Sequence, residues 1–453
     1  MKKIFLFLTV LITAVVFVAC NGDSNTGGTN DLGEEKPDKI VIWADNTYWG
    51  GENGKLVTAM VQEYAEESGI DVIYEAQPDL DNKLRGASLG GESPDLIIWD
   101  RWQTTMYIQD GLLVNLDDFI EKDNIDISEY QQEALNEMVL NDSVYGFPLD
   151  IDAWGYWVNK TLLEEAGITE LPQTWDELRA AAIATTKYDD NGNMIRAGLN
   201  LDSPGAFFSY IQTAGGSVFA EDSNELTFNS EAGKAVLTYW YKMLHEDKVF
   251  DKAFGSSQGG ADDPFVTQRF VIQSNSLLNG SQFYKTYIGD KFEYEFIPYP
   301  MGPSSEFATE ENPAGSNHGG LMGGFGLAIP ETAKSKLAAW NLIKWWITDT
   351  DNQVKWSEIS GLIPAKLSII ADPRMKEIPN VRNVIDSLPY IKARPKVPGY
   401  TSIETSVFMN KIGSLLFEGG YVRGNPTVEA RVQAALNDME QTAQSIIDFA
   451  NMD

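Results

Sequence analysis

Three short apolar runs, separated by helical patterns, constrain what this 453-residue chain can fold into more than any other feature. Ile40-Val41-Ile42-Trp43, Asp71-Val72-Ile73-Tyr74 and Leu96-Ile97-Ile98-Trp99 suit buried strands. Between the first two, Leu56, Val57, Met60, Val61 and Tyr64 recur at helical spacing, and Ser68-Gly69 supplies a stop. The order β-α-β-α-β predicts a parallel sheet covered by helices, hence an α/β fold.

Open sheets of this kind bind ligands beyond the carboxyl ends of their strands. Here those ends carry the chemistry. The first strand runs into Trp43, Asp45, Asn46, Tyr48 and Trp49, the second into Tyr74 and Glu75, and the third into Trp99, Asp100, Arg101 and Trp102. Ring faces interleaved with carboxylates, an amide and a guanidinium suit a sugar, whose C–H faces stack on rings while its hydroxyls bond to planar polar groups. A lone tryptophan is more often core than platform, so it is the co-location at successive strand ends that points to a site.

Before the first strand, Lys2-Lys3, the apolar stretch Ile4 to Val18 and Ala19-Cys20 form a lipoprotein export signal over 1–19. Cys20 is then the lipidated first residue of the mature chain, and the polar stretch 20–37 a flexible tether. Cys20 is the only cysteine, so no disulfide, thiolate metal site or cysteine nucleophile is expected, and two histidines argue against a His-rich metal centre. No cofactor is called for. Removing Lys2 and Lys3 with the signal leaves 32 basic against 66 acidic residues, a net charge of −34, which repels phosphate backbones and excludes nucleic acid as partner.

Further along, Thr174-Trp175-Asp176-Glu177 is a capping box that opens a helix through Thr185. Leu342, Ile343, Trp346 and Ile347 fall at helical spacing within Trp340 to Trp356 and suit a core. Gly319-Gly320-Leu321-Met322-Gly323-Gly324-Phe325-Gly326 feeds a strand at Leu327, but it lacks Gly-Lys-Ser/Thr and a strand-then-helix setting, so it suits a hinge or close backbone approach rather than a nucleotide.

The order of several fragments resembles the extracellular solute-binding proteins of family 1, the maltose-binding-protein-like receptors of ABC sugar importers. They are Ser93 to Trp99, Gly111-Leu112-Leu113 with Leu116 to Ile120, Tyr145 to Pro148, Val158-Asn159-Lys160, Leu163 to Ile168, Pro172 to Leu178, Gly215-Gly216, Asn279-Gly280, Gly324 to Ile329, and Gly361 to Ala365. The resemblance covers nearly the whole mature chain. It implies a type II two-lobed fold with crossovers near Asp152, Gly320 to Gly323 and Pro364, giving one lobe from 38–152 and 324–364 and a second from 153–323 and 365–453. The ligand would lie in the cleft between them.

The same resemblance implies a site built from Trp43, Asp45, Asn46, Trp49, Trp99, Asp100, Arg101, Trp102, Asp152, Trp154, Ser203, Phe208, Asn279, Gln282, Tyr284, Gly324, Phe325, Arg394 and Tyr400. Trp99 matches a cleft tryptophan and Asp152 a cleft acid, whereas Trp102, Ser203, Gly205 and Gln282 replace an aspartate, a glutamate, a tyrosine and a stacking tryptophan of the maltose pattern. Maltose is therefore not the expected ligand. The expected protein is a monomeric, non-enzymatic receptor, lipid-anchored on the outer face of a Gram-positive membrane, that binds a neutral di- or oligosaccharide and passes it to a permease driven by a separate ATPase. A polyamine or peptide on the same fold is the alternative, and a secreted glycoside hydrolase a weaker one, because no acid/base pair flanking a bond can be nominated.

Overall fold

Strand β1 (Lys39–Asp45) buries Ile40, Ile42 and Ala44 and turns Val41, Trp43 and Asp45 to the opposite face. In the computed structural model, which describes residues 37–451 apart from 222, 256–259 and 420–425, that alternation sets one face of β1 into the main core. The export signal, Cys20 and all but the last residue of the tether lie outside the described residues.

β1 pairs in parallel with β2 (Asp71–Gln77) and β3 (Leu96–Asp100), as the sequence predicts. The connecting helices are α1 (Gly51–Ser68) and α2 (Leu80–Gly90). α1 buries Val57, Met60, Val61 and Tyr64 and stops at Gly69, whose φ of 64° a glycine adopts without strain. Two further segments enter the same sheet: β4 (Phe147–Pro148) and, much later in the chain, β11 (Phe325–Ala328), giving the order β2-β1-β3-β11-β4. β11 runs antiparallel to β3, with Phe325 opposite Asp100.

The second sheet is built from β5 (Asp152–Asn159), β6 (Lys187–Tyr188), β7 (Met194–Leu199), β8 (Phe270–Ser276) and β9 (Tyr294–Pro298) in the order β9-β5-β8-β7-β6, and β10 (Met322–Gly323) pairs with the start of β5. α3 (Trp175–Thr185) opens on the expected capping box, with the Glu177 amide on the Thr174 hydroxyl at 3.3 Å and the Thr174 amide on the Glu177 carboxylate at 3.1 Å. The second core lies between this sheet and helices that include α4 (Glu231–His245) and α7 (Val428–Ala450).

The segment Trp340 to Trp356 is two helices, α5 (Lys336–Thr348) and α6 (Thr350–Ser360). Asp349 separates them because its carboxylate accepts from the Asp351 and Asn352 amides, starting a new helix. Leu342, Ile343, Trp346 and Ile347 are buried, as their spacing predicts.

The chain changes sheets between Pro148 and Asp152 and again at Gly324. Ile151 and Ile363 exchange backbone hydrogen bonds at 2.7 and 3.1 Å, which brings a third segment alongside the first crossing. Beyond it the chain stays against the first body through Leu367–Ile370, which packs on α6, and reaches the second where Val381–Ile385 packs on β9. Among the described residues no helix is long and apolar enough to cross a membrane.

Candidate ligand-binding site

A cavity of about 210 Å³ lies where the two sheets meet, at the carboxyl ends of β1 and β3 and the crossings at Asp152 and Gly324. The short helix Asn46–Trp49 after β1 supplies Tyr48, the end of β3 supplies Asp100, and the turn Arg101–Gln103 supplies Trp102. β5 contributes Asp152 and Trp154, while the end of β8 and the turn after it contribute Ser276, Leu278 and Asn279. Gly323, Gly324 and Phe325 close one wall. The opposite wall comes from Arg394, Thr401, Glu404 and Thr405, of which the last two sit in a π-helical stretch, Ile403–Met409, a form of helix frequent at functional sites.

Hydrogen bonds fix the polar groups around the cavity. Asp152 is 6 % exposed and accepts from the Leu278 amide at 3.1 Å. Asn279 donates to the Asn275 side chain at 2.9 Å. The Arg394 guanidinium grips Glu404 with two bonds, of 2.8 and 3.1 Å, and lies 6.0 Å from the centre of the Trp102 ring. Burial would lower the Arg394 pKa, but the paired carboxylate holds it above the ordinary arginine value.

The acids are shifted the other way. Burial pushes Asp100 up to about 6, against the pull of Arg394 and Arg101. Burial likewise pushes Asp152 up to about 7, although the Leu278 amide and Ser276 favour its ionised form. Behind the cavity, burial takes Asp150 to about 7. Burial, with the nearby Asp100 and Asp45 charges, raises the Tyr48 phenol to about 12, so it is a hydrogen-bond donor at neutral pH.

The structure gathers Asp100, Trp102, Asp152, Trp154, Asn279, Gly324, Phe325 and Arg394 of the sequence-predicted site around the cavity. Other residues expected there are placed elsewhere. Trp99 is fully buried and packs with Tyr107, Leu80 and Leu84, because strand alternation turns it under α2 on the face away from the main core. Trp49 is also fully buried, its ring 4.7 Å from Phe325, so it backs the cavity wall without lining it. Arg101 is drawn inside by Glu137 and three backbone carbonyls. Tyr284 packs between Trp157 and Phe265.

Trp43 bonds Glu75 through its indole N–H and lies under the Lys83 ammonium. Asp45 caps the short helix Asn46–Trp49 by accepting from the Thr47 amide, and Asn46 is exposed. Ser203 begins the turn Pro204–Ala206, where its carbonyl accepts from the Ala206 amide. Phe208 lines a second, more open groove of about 640 Å³ beside Ala393 and Pro395, and Tyr400 packs on Phe208 and Phe219. The side chain of Gln282 lies outside the described residues. Ser276, Thr401, Glu404 and Thr405 were not anticipated, and no motif marks them. Tyr48 stood at the strand end already singled out. Among the described residues no group of three His, Cys, Asp or Glu side chains is placed to hold a metal.

Two sheets joined by crossing strands with a polar, aromatic cavity at the crossings define a two-lobed binding protein of the type II class, and solved structures agree. An ABC substrate-binding protein of Listeria monocytogenes in complex with cycloalternan superposes with a TM-score of 0.69 at 19 % identity, over 90 % of this chain and 99 % of that one. A solute-binding protein of Thermotoga lettingae bound with alpha-D-tagatose gives 0.69 at 19 %, over 90 % and 100 %. The family model described as bacterial extracellular solute-binding protein matches residues 59–383, and the chain belongs to that family. A maltotriose-binding protein of Pyrococcus abyssi is 23 % identical over 361 residues, 80 % of this chain and 74 % of its own length.

Proposed function

We propose that this chain is the receptor of an ABC importer, capturing a di- or oligosaccharide between its lobes and delivering it to a permease driven by a separate ATPase. The cavity at the crossings carries the reading. Tyr48, Trp102, Trp154 and Phe325 offer ring surface, and Asp100, Asp152, Asn279 and Glu404 offer hydroxyl partners. The sugars named for the related maltotriose-binding protein and for the Listeria structure support it, and the tagatose of the Thermotoga structure supports a sugar ligand more broadly.

Residues 38–152 with 324–364 act as one lobe and 153–323 with 365–453 as the other, save that Leu367–Ile370 still packs on the first. A sugar that touches Trp102 on one side and Trp154 on the other gains its full contacts only when the lobes are together, and this differential affinity shifts the population to the closed form. The protein acts as a monomer and catalyses no reaction. Its basic, apolar leader over 1–19, followed by Cys20, supports lipid anchoring on the outer face of the membrane, with 20–37 as a tether; that long tether and the lack of disulfides favour a Gram-positive host.

Calorimetric titration with saccharides of several linkages and lengths, with an assay for newly formed reducing ends, tests this. Saturable binding without release is expected. Release of reducing sugar by the purified protein would make it a hydrolase.

A further inference from the structure

We propose that the saccharide held in this cavity carries a protonated amine, seated between Asp100 and Asp152 against the surrounding rings. The inference rests on the sugar-receptor reading and narrows it, replacing the neutral ligand that the sequence alone suggests.

The cavity wall holds three carboxylates and one guanidinium: Asp100, Asp152, Glu404 and Arg394. Arg394 and Glu404 neutralise each other through their two-bond grip. The other guanidinium nearby, Arg101, is committed to Glu137 and to the carbonyls of Asp150, Gly323 and Phe325. Neither Asp100 nor Asp152 has an ion-pair partner among the described residues. The bonds Asp152 does receive, from the Leu278 amide and Ser276, orient its carboxylate without cancelling its charge.

Two acids in a confined, partly apolar wall are unfavourable as anions unless a cation arrives with the ligand. Burial is the chief cause of their upward pKa shifts, and at Asp100 the charges of Arg394 and Arg101 offset only part of it. The rings of Tyr48, Trp102, Trp154 and Phe325 add to the case, because an aromatic face attracts an ammonium as well as a sugar C–H face. An amino sugar meets both demands. A neutral sugar would satisfy the rings and hydrogen-bond the acids through its hydroxyls but bring them no counter-charge, whereas an aliphatic polyamine would meet the acids and leave the Asn279 amide and the Thr401 and Thr405 hydroxyls without sugar partners.

The purified full-length protein is titrated with matched hexose mono- and disaccharides of several linkages, each as plain sugar, free 2-amino sugar and N-acetylated amine, and with spermidine. A free-amine member is expected to bind about tenfold or more tightly than its two partners. That preference should shrink in Asp100→Asn. Equal or tighter binding of the plain or N-acetylated member overturns the amine and leaves the sugar receptor standing. Response to spermidine alone, or to nothing in the panel, overturns the sugar reading and the amine with it. The ligand comparison uses the unaltered protein, so it does not depend on any variant folding.

Discussion

Arg101 donates from Nη2 to the carbonyl oxygen of Gly323 across 2.8 Å, so the end of a first-sheet strand holds the point at which the chain returns from the second sheet. The same guanidinium bonds the carbonyls of Asp150 and Phe325 and pairs with Glu137 at 3.0 Å. Asp150 fixes the crossing from the other side, accepting from the Phe325 amide at 3.0 Å and the Trp356 indole at 2.9 Å. These two side chains join the crossings to each other and to β3, setting the floor on which a ligand rests.

Removing Arg101 would leave Glu137 as an uncompensated buried charge and three carbonyls short of a donor. Arg101→Ala is expected to lose about 3–5 kcal/mol of stability, the usual cost of breaking a buried pair from one side. Denaturant unfolding measures it; a loss under about 1 kcal/mol would show that water replaces the guanidinium.

Trp99 and Trp102 are three residues apart and differ in role. Trp99→Ala should cost about 3–5 kcal/mol of folding stability, as a large core truncation does. Trp102→Ala should leave the unfolding midpoint nearly unchanged and weaken ligand binding by about 1–3 kcal/mol. Parallel melts and titrations separate the two, and the reverse pattern would return Trp99 to the cleft.

Gly324 has φ of 130°, and a Cβ there would meet the Asp150 carbonyl at 2.6 Å as well as the Arg101 guanidinium. Gly324→Ala is expected to lose about 1–3 kcal/mol through backbone strain and displacement of the crossing, and to weaken ligand binding. Wild-type stability and affinity in this variant would mean that the crossing tolerates a different backbone.

Stability should fall as pH rises from about 5 to 8. Asp100, Asp150 and Asp152 have folded-state pKa values of about 6, 7 and 7, raised from 3.8 chiefly by burial. Below 3.8 both states hold these protons and the contribution is complete. From about 3.8 through the folded-state pKa values the folded protein binds more protons than the unfolded chain, so each rise in pH removes stability, and the loss is complete once the pH has passed about 7 by roughly one unit. Melting temperatures at fixed ionic strength test the sign; a midpoint that climbs steadily from pH 5 to 8 would contradict it.

The strands and helices of the first sheet were legible because the apolar periods are clean: Ile40, Ile42 and Ala44 turn inward, and Val57, Met60, Val61 and Tyr64 share one helix face. The pairing of β11 with β3 is not local, since Phe325 meets Asp100 across more than two hundred residues. Only the family resemblance pointed to it. Within the site, proximity to a strand end was readable, but which side chain faces outward was not. Trp99 and Asp100 are consecutive, and strand alternation sends one under α2 and the other to the cavity. Glu404 and Thr405 were invisible because a π-helical turn far along the chain presents them.

The most direct test is tryptophan fluorescence of the full-length protein, titrated with the saccharide panel in the wild type and in Trp102→Ala and Trp154→Ala. The account predicts a saturable change with one saccharide series in the wild type and weaker binding of that series in both variants. Silence across the panel, or undiminished affinity in both variants, would contradict a sugar site at the crossings.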